Sequence, residues 1–219
     1  MEFLSERERI IETCHLMCSM NYFIGTWGNV SMRVGDKILL TPSRVNYDLM
    51  KPEDIVVIDL EGNKVSGDRN PTSEKEVHRQ IYLIRDDVNA IIHAHTEKAM
   101  AVSCARIQEV PCIVEEMSQL LGGAIPLAAE YVPAAQHFEL GKAAAAAIGD
   151  KNGVILRNHG PVSCGKDMDE AILSAQVIEK ACHIFLDEQA TGIAMRTIPQ
   201  NFVDSEHYRY KYTYGKEKT

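Results

Sequence analysis

Apolar residues return along this chain in two rhythms, and the alternation between them sketches the fold. Ile10, Ile11, Cys14, Met17 and Cys18 recur at helical spacing, which stacks side chains on one helix face. Ser5 followed by Glu8 has the form of a capping box, so a first amphipathic helix is predicted to open at Ser5 and close near Asn21. The rhythm then shortens. Gly25-Thr26-Trp27-Gly28 brackets a turn into the alternating Asn29-Val30-Ser31-Met32-Arg33. Lys37-Ile38-Leu39-Leu40 reads as a strand running into the polar Thr41-Pro42-Ser43-Arg44, and Ile55-Val56-Val57-Ile58-Asp59 as another, followed by a hairpin turn over residues 60–65.

Pro71-Thr72-Ser73-Glu74 places hydroxyls and then carboxylates where a helix begins. Val88-Asn89-Ala90-Ile91-Ile92 is β-branched and apolar enough for a buried strand. A short amphipathic helix is predicted over 97–105, a strand over 110–114 and a loop over 115–123. The alanine run from Phe138 to Ile148 favours helix and stops at Gly149. Gly153-Val154-Ile155-Leu156 then leads as a strand toward His159 and Gly160. Asp167 to about Asp187 is the longest helix, with Ile172, Ala175, Ile178, Ala181, Cys182 and Phe185 on one side. Pro199 breaks the pattern before a tail holding Tyr208, Tyr210, Tyr212 and Tyr214.

Helices interleave with strands whose links are mostly hairpins or short excursions. The expected fold is therefore an α/β sandwich with a mostly antiparallel or mixed sheet, not a doubly wound parallel one. With 219 residues, 45% of them hydrophobic, the chain is read as one domain over 1–219. Neither a Gly-x-Gly-x-x-Gly nor a Walker loop occurs. Lys and Arg total 23 against 31 Asp and Glu, a net charge of −8. That balance argues against nucleic acid or an anionic membrane as a general partner, while leaving room for a local anion pocket. The charged start offers no signal-peptide core, no apolar run is long enough to cross a bilayer, and the six cysteines show no pairing pattern. A cytoplasmic protein with reduced thiols is expected. Cys14 and Cys18 lie one helical turn apart but have no matching ligands nearby.

The candidate chemistry begins at His93-Ala94-His95. Alternate residues of a strand share a face, so the two imidazoles point the same way. They fit a pair of neutral donors to one divalent metal, and equally two half-buried strand histidines with unrelated hydrogen bonds. His159, before Gly160-Pro161, is a third ligand candidate. Three protein ligands leave a coordination position open, which suits a catalytic rather than a structural site. Glu74 is then a displaceable fourth ligand and a base, and Asn29, Ser43, Thr72 and Ser73 would hold a phosphate if their turns converge. Arg44 can also hold an anion. His78 falls one turn after Glu74 as a second partner or a packing residue, whereas His15, His137, His183 and His207 have no convergent partners.

Gly28-Asn29-Val30-Ser31, Thr41-Pro42-Ser43, Thr72-Ser73-Glu74, His93-Ala94-His95 and Asn158-His159-Gly160 resemble, in order and spacing, the segments of the class II aldolase/adducin family, closest to its bacterial L-fuculose-phosphate aldolase branch. The resemblance implies a three-layer α/β/α sandwich with a mostly antiparallel central sheet, in a homotetramer with active sites between subunits. It implies one divalent metal per subunit, zinc or else manganese, cobalt or iron, on His93, His95, His159 and, without substrate, Glu74. Gly28, Asn29, Ser43, Thr72 and Ser73 would form the phosphate pocket of a ketose 1-phosphate, cleaved to dihydroxyacetone phosphate and an aldehyde. Tyr214 would act as an acid from residues 200–219, a tail closing over the site. Arg44 stands where the fuculose-phosphate branch has glycine, and either adds a phosphate contact or crowds the pocket. Glu116-Met117 stands where that branch has a tyrosine and resembles the methylthioribulose-1-phosphate dehydratase branch, so Glu116 is either an acid or a solvated charge. The substrate is then L-fuculose 1-phosphate or a 5-deoxy- or 5-methylthio-pentulose 1-phosphate. The rival readings are a ribulose-phosphate 4-epimerase, that dehydratase, and an adducin-like scaffold without chemistry.

Overall fold

The computed structural model describes residues 1–215. Seven strands form one sheet in the order β4-β3-β2-β1-β5-β9-β8: β1 Asn29–Val34, β2 Lys37–Leu40, β3 Val56–Asp59, β4 Lys64–Ser66, β5 Ala90–His93, β8 Gly153–Leu156 and β9 Gly160–Gly165. Every neighbouring pair is antiparallel. A small ribbon joins β6 Glu109–Val110 to β7 Ile125–Pro126.

Alternation along the strands divides the core in two. Val30, Leu39, Val57, Ala90 and Ile92 face α1 (Leu4–Ser19) and the start of α5 (Met168–Thr191). Ile38, Leu40, Val56, Ile58, Ile91 and Val162 face α2 (Lys75–Ile84) and α4 (His137–Ile148). Fully burying one such side chain contributes roughly 1.5–3 kcal/mol, so a one-residue slip in register would expose a whole row. A third cluster gathers α3 (Glu97–Ser103), the ribbon, the middle of α5 and Val203 of α6 (Gln200–Tyr212). Helices thus cover both faces of a mostly antiparallel sheet, the α/β/α sandwich expected.

Four local expectations are corrected. The first helix opens at Leu4 behind a left-handed Phe3, and Ser5 donates to Glu6 instead of capping. Strand β6 ends at Val110, before Pro111, which has no N–H to continue the ladder. The segment expected as a loop holds a π-helix over Met117–Leu121, its Met117, Leu120 and Leu121 buried in the third cluster. Gly160-Pro161, expected only to follow the end of the preceding strand, opens β9, a strand the periodicity did not suggest. Asp167 does cap α5, its carboxylate accepting from the Glu170 amide at 2.9 Å. The predicted tail 200–219 begins as helix α6, which packs on the π-helix; its last residues, 216–219, lie outside the described residues.

Candidate active site

The sheet register brings the candidate residues together. Asn29, the first residue of β1, pairs across the ladder with His93, the last of β5, and His93 pairs in turn with Val162 of β9. His159 occupies the turn between β8 and β9, after Asn158 in the left-handed conformation (φ 51°) that asparagine tolerates well. A Cβ on Gly160 would lie 2.4 Å from the Ala94 carbonyl oxygen, so only glycine lets this turn close on the His93–His95 segment. The three imidazole centroids stand 4.8, 5.0 and 5.0 Å apart with their planes nearly perpendicular.

His93 is wholly buried. Its Nδ1–H donates to the Pro161 carbonyl at 2.9 Å, which leaves the Nε2 lone pair facing the other rings. That Nε2 lies 3.1 Å from Nε2 of His95. Burial pushes His93 down to about 3, and burial followed by the neighbouring His159 lowers His95 as well. Converging imidazole nitrogens are the donor set of a divalent borderline cation, and the ligand atoms of the three rings all fall within 4.8 Å of one another. The three histidines therefore fit one metal ion.

Glu74 stands just ahead of α2, at φ −97° and ψ 20°. Its Oε1 lies 2.9 Å from Nε2 of His159 and its Oε2 3.4 Å from Nε2 of His93. The Asn29 amide donates to Oε2 at 2.8 Å. Burial favours the neutral acid, but the adjacent His93, the hydrogen bond from His159 and that from Asn29 outweigh it, and hold the carboxyl well below its ordinary range.

These groups open onto a cavity of about 320 Å³, a size suited to a small metabolite. Glu74, His95 and His159 line it, with His93 buried behind. Gly28, Asn29, Ser43, Arg44, Thr72 and Ser73 line it too. Two turns are stitched together to do so: Thr72 N–H donates to Thr41 O at 3.0 Å and Ser43 N–H to Asn70 O at 2.9 Å. Gly28 has φ 115°, and a Cβ there would strike the Phe23 ring. Among the described residues lining the cavity, Arg44 supplies the one permanent cation, on a left-handed backbone (φ 59°). Hydroxyls, an amide and a guanidinium can hold an anion beside the carboxylate.

Two predicted residues lie elsewhere in the chain. Glu116 is partly exposed before the π-helix and pairs with Lys180. Tyr214 is 60% exposed in the turn after α6, beside Arg209. Conversely, Trp27 and Ala134 line the cavity without having been anticipated. Trp27 lies parallel to the His95 ring, centroids 6.4 Å apart. The signal for it was a lone tryptophan, 65% exposed, held between Gly25 and Gly28.

The model of the class II aldolase and adducin N-terminal domain matches residues 8–186. L-fuculose phosphate aldolase of Methanocaldococcus jannaschii is 34% identical over 184 residues, 83% of this chain and 96% of its own length. 5-deoxy-D-ribulose 1-phosphate aldolase of Bacillus thuringiensis serovar kurstaki is 31% identical, over 85% of this chain and 87% of its own. A solved L-fuculose 1-phosphate aldolase superposes with a TM-score of 0.89 at 28% identity, covering 95% of this chain and 97% of the other. With its sheet, its histidine cluster and more than two thirds of its length accounted for in this way, the chain belongs to the class II aldolase and adducin family.

Proposed function

We propose that this family member cleaves a ketose 1-phosphate, L-fuculose 1-phosphate or a 5-deoxy- or 5-methylthio-pentulose 1-phosphate, to dihydroxyacetone phosphate and an aldehyde. The observation that carries the reading is the position of Glu74, an ionised carboxylate between three converging imidazoles and the hydroxyl-rich wall of one cavity. The sugar-phosphate aldolases among the relatives support it.

His93, His95 and His159 would hold the metal, with Glu74 as a fourth ligand until substrate arrives. Zinc suits this donor set. When bound, the cation supplies Lewis-acid stabilisation of the charge that develops on the substrate's ketone oxygen. Gly28, Asn29, Ser43, Thr72 and Ser73 bind the phosphate, and Arg44 adds a charged contact. Phosphate binding fixes the distance from the sugar's first carbon to Glu74, which exchanges a proton with the carbon beside the ketone. Tyr214 and Glu116 are the candidate acid-base groups at the aldehyde oxygen, one of which takes the hydroxyl proton as the carbon–carbon bond breaks and returns it as an acid in the reverse direction. Each reaches a cavity only when a neighbouring subunit presents it, as in a homotetramer with sites between subunits and tails closing over them. Residues 1–219 act as one catalytic unit in the cytoplasm.

The test incubates zinc-loaded protein with L-fuculose 1-phosphate, a 5-deoxypentulose 1-phosphate and a pentulose 5-phosphate, with coupled detection of dihydroxyacetone phosphate. Release from a 1-phosphate alone is expected. Epimerisation of the 5-phosphate, or loss of water without that release, would replace the aldolase reading.

A further inference from the structure

Behind Glu74 a single file of hydrogen bonds runs back into the core. The Asn29 amide oxygen lies 2.5 Å from His78 Nε2, His78 Nδ1 lies 2.7 Å from Ser31 Oγ, and Ser31 Oγ lies 2.8 Å from the Tyr82 hydroxyl. His78, Ser31 and Tyr82 are at most 1% exposed. They sit among Val77, Ile81 and Ile91, where polar groups cost free energy unless each is paired. Apolar side chains would fill the same layer without that cost. The spacing builds the file: Glu74, just ahead of α2, is followed at four-residue intervals by His78 and Tyr82 on one face of that helix, and Asn29 and Ser31 alternate on one face of β1.

Its direction follows from the carboxylate. An ionised carboxylate only accepts hydrogen bonds, so Asn29 turns its NH2 to Glu74 and its oxygen to His78. His78 must then donate from Nε2. Burial lowers His78 to about 4, so the neutral ring has no second N–H, and its Nδ1 accepts from Ser31. Ser31 accepts in turn from Tyr82. An amide does not relay protons in its ordinary form, so the file orients groups and carries no charge along its length.

We propose that His78, backed by Ser31 and Tyr82, is a positioning residue that locks the Asn29 amide with its NH2 toward Glu74 and so aims the carboxylate between the histidine cluster and the cavity. Its catalytic consequence rests on the reading of Glu74 as the acid-base group; the orientation of the file does not.

Nitrogen-15 imidazole spectra of the full-length protein, metal-free and zinc-loaded, test the orientation without substrate. His78 is expected as the neutral Nε2–H tautomer, and an Nδ1–H tautomer overturns the proposal even if no sugar phosphate is ever turned over. Kinetically, His78→Leu is expected to lower kcat on the order of 10–100-fold, as loss of a partner behind a metal ligand does, with KM for the sugar phosphate changed less than kcat. His78→Gln, whose amide can donate from nearly the same point, recovers most of that loss. Tyr82→Phe, the milder change, gives a mixture of His78 tautomers and an intermediate kcat. His78→Gln as slow as His78→Leu, or Tyr82→Phe silent in both tautomer and kcat, overturns the proposal. If His78→Leu does not fold, the wild-type and Tyr82→Phe spectra decide.

Discussion

The cavity at the ends of β1, β5 and β9 and the surface carrying α6 are built by opposite means. In the cavity, side chains are set by ladder register and by main-chain contacts such as Asn29 opposite His93. On the α6 side, tyrosines pair along the helix, Tyr208 tilted against Tyr212 and the partly buried Tyr210 stacked on Tyr214, and ion pairs such as Lys211–Asp87 join surface groups. Buried, fully paired groups do not rearrange without a large cost, whereas exposed pairs contribute little and exchange partners readily. The cavity is thus a preset chemical centre within each chain. The tail is an adaptable surface on which Tyr214 stands exposed.

The largest expected effect breaks the cavity side. Glu74→Gln should lower kcat by about 10²–10⁴-fold, the usual contribution of a positioned base, while the protein stays folded by circular dichroism. A variant within a few-fold of wild type would remove Glu74 from the chemistry. Next comes the tail. Tyr214→Phe should also be slow, but subunits of Tyr214→Phe and Glu74→Gln refolded together should be faster than either parent, because mixed assemblies contain some intact sites. No recovery would separate Tyr214 from the cavity.

Arg44→Gly should raise KM for the sugar phosphate by roughly tenfold, the loss of one charge-assisted hydrogen bond, and leave kcat nearly unchanged. It should also raise Tm slightly, since glycine adopts the left-handed backbone without strain. A fall in KM would show that Arg44 crowds the pocket.

Acid separates the two regions further. His78 and His93 are lowered to about 4 and about 3 by burial, below the roughly 6.5 of an unfolded histidine. Between those values the unfolded chain binds more protons, so metal-free protein should lose stability as pH falls below about 6.5 toward 4; flat denaturant midpoints across that range would contradict this. Asp87 behaves as a carboxylate held down to about 2, first by its hydrogen bond from Arg85. Its smaller contribution persists above the ordinary carboxylate range near 3.9 and fades as pH drops from there to about 2. Asp87→Asn should therefore shift the midpoint at pH 5 only slightly, and at pH 2 not at all.

How far the chain could be read without coordinates follows the same divide. Alternation located β1, and unbroken apolar, β-branched runs located β2, β3, β5 and β8, whose residues are nearly all buried. The elements that escaped were those in which another force prevails. Pro161 disguised β9, and burial of Leu120 and Leu121 wound the π-helix where polar flanks suggested a loop. At the site, His93, His95 and His159 stood out as chemically distinctive residues at strand ends. Ser31 and Tyr82 did not, since a serine and a tyrosine in a core acquire meaning only when strand and helix are placed face to face. Glu116 and Tyr214 were suggested by family likeness, and a single chain leaves both away from its own cavity.

The tight passage at Gly160 bears on what keeps the histidine cluster together. Its missing side chain lets one hairpin lean on the carbonyl of Ala94, and histidines from distant parts of the gene meet because of that closeness. A single Gly160→Ala change would wedge the hairpins apart while every donor remained in the sequence. The metal-holding geometry of this chain therefore depends on a residue that donates nothing, and the three imidazoles alone do not secure it.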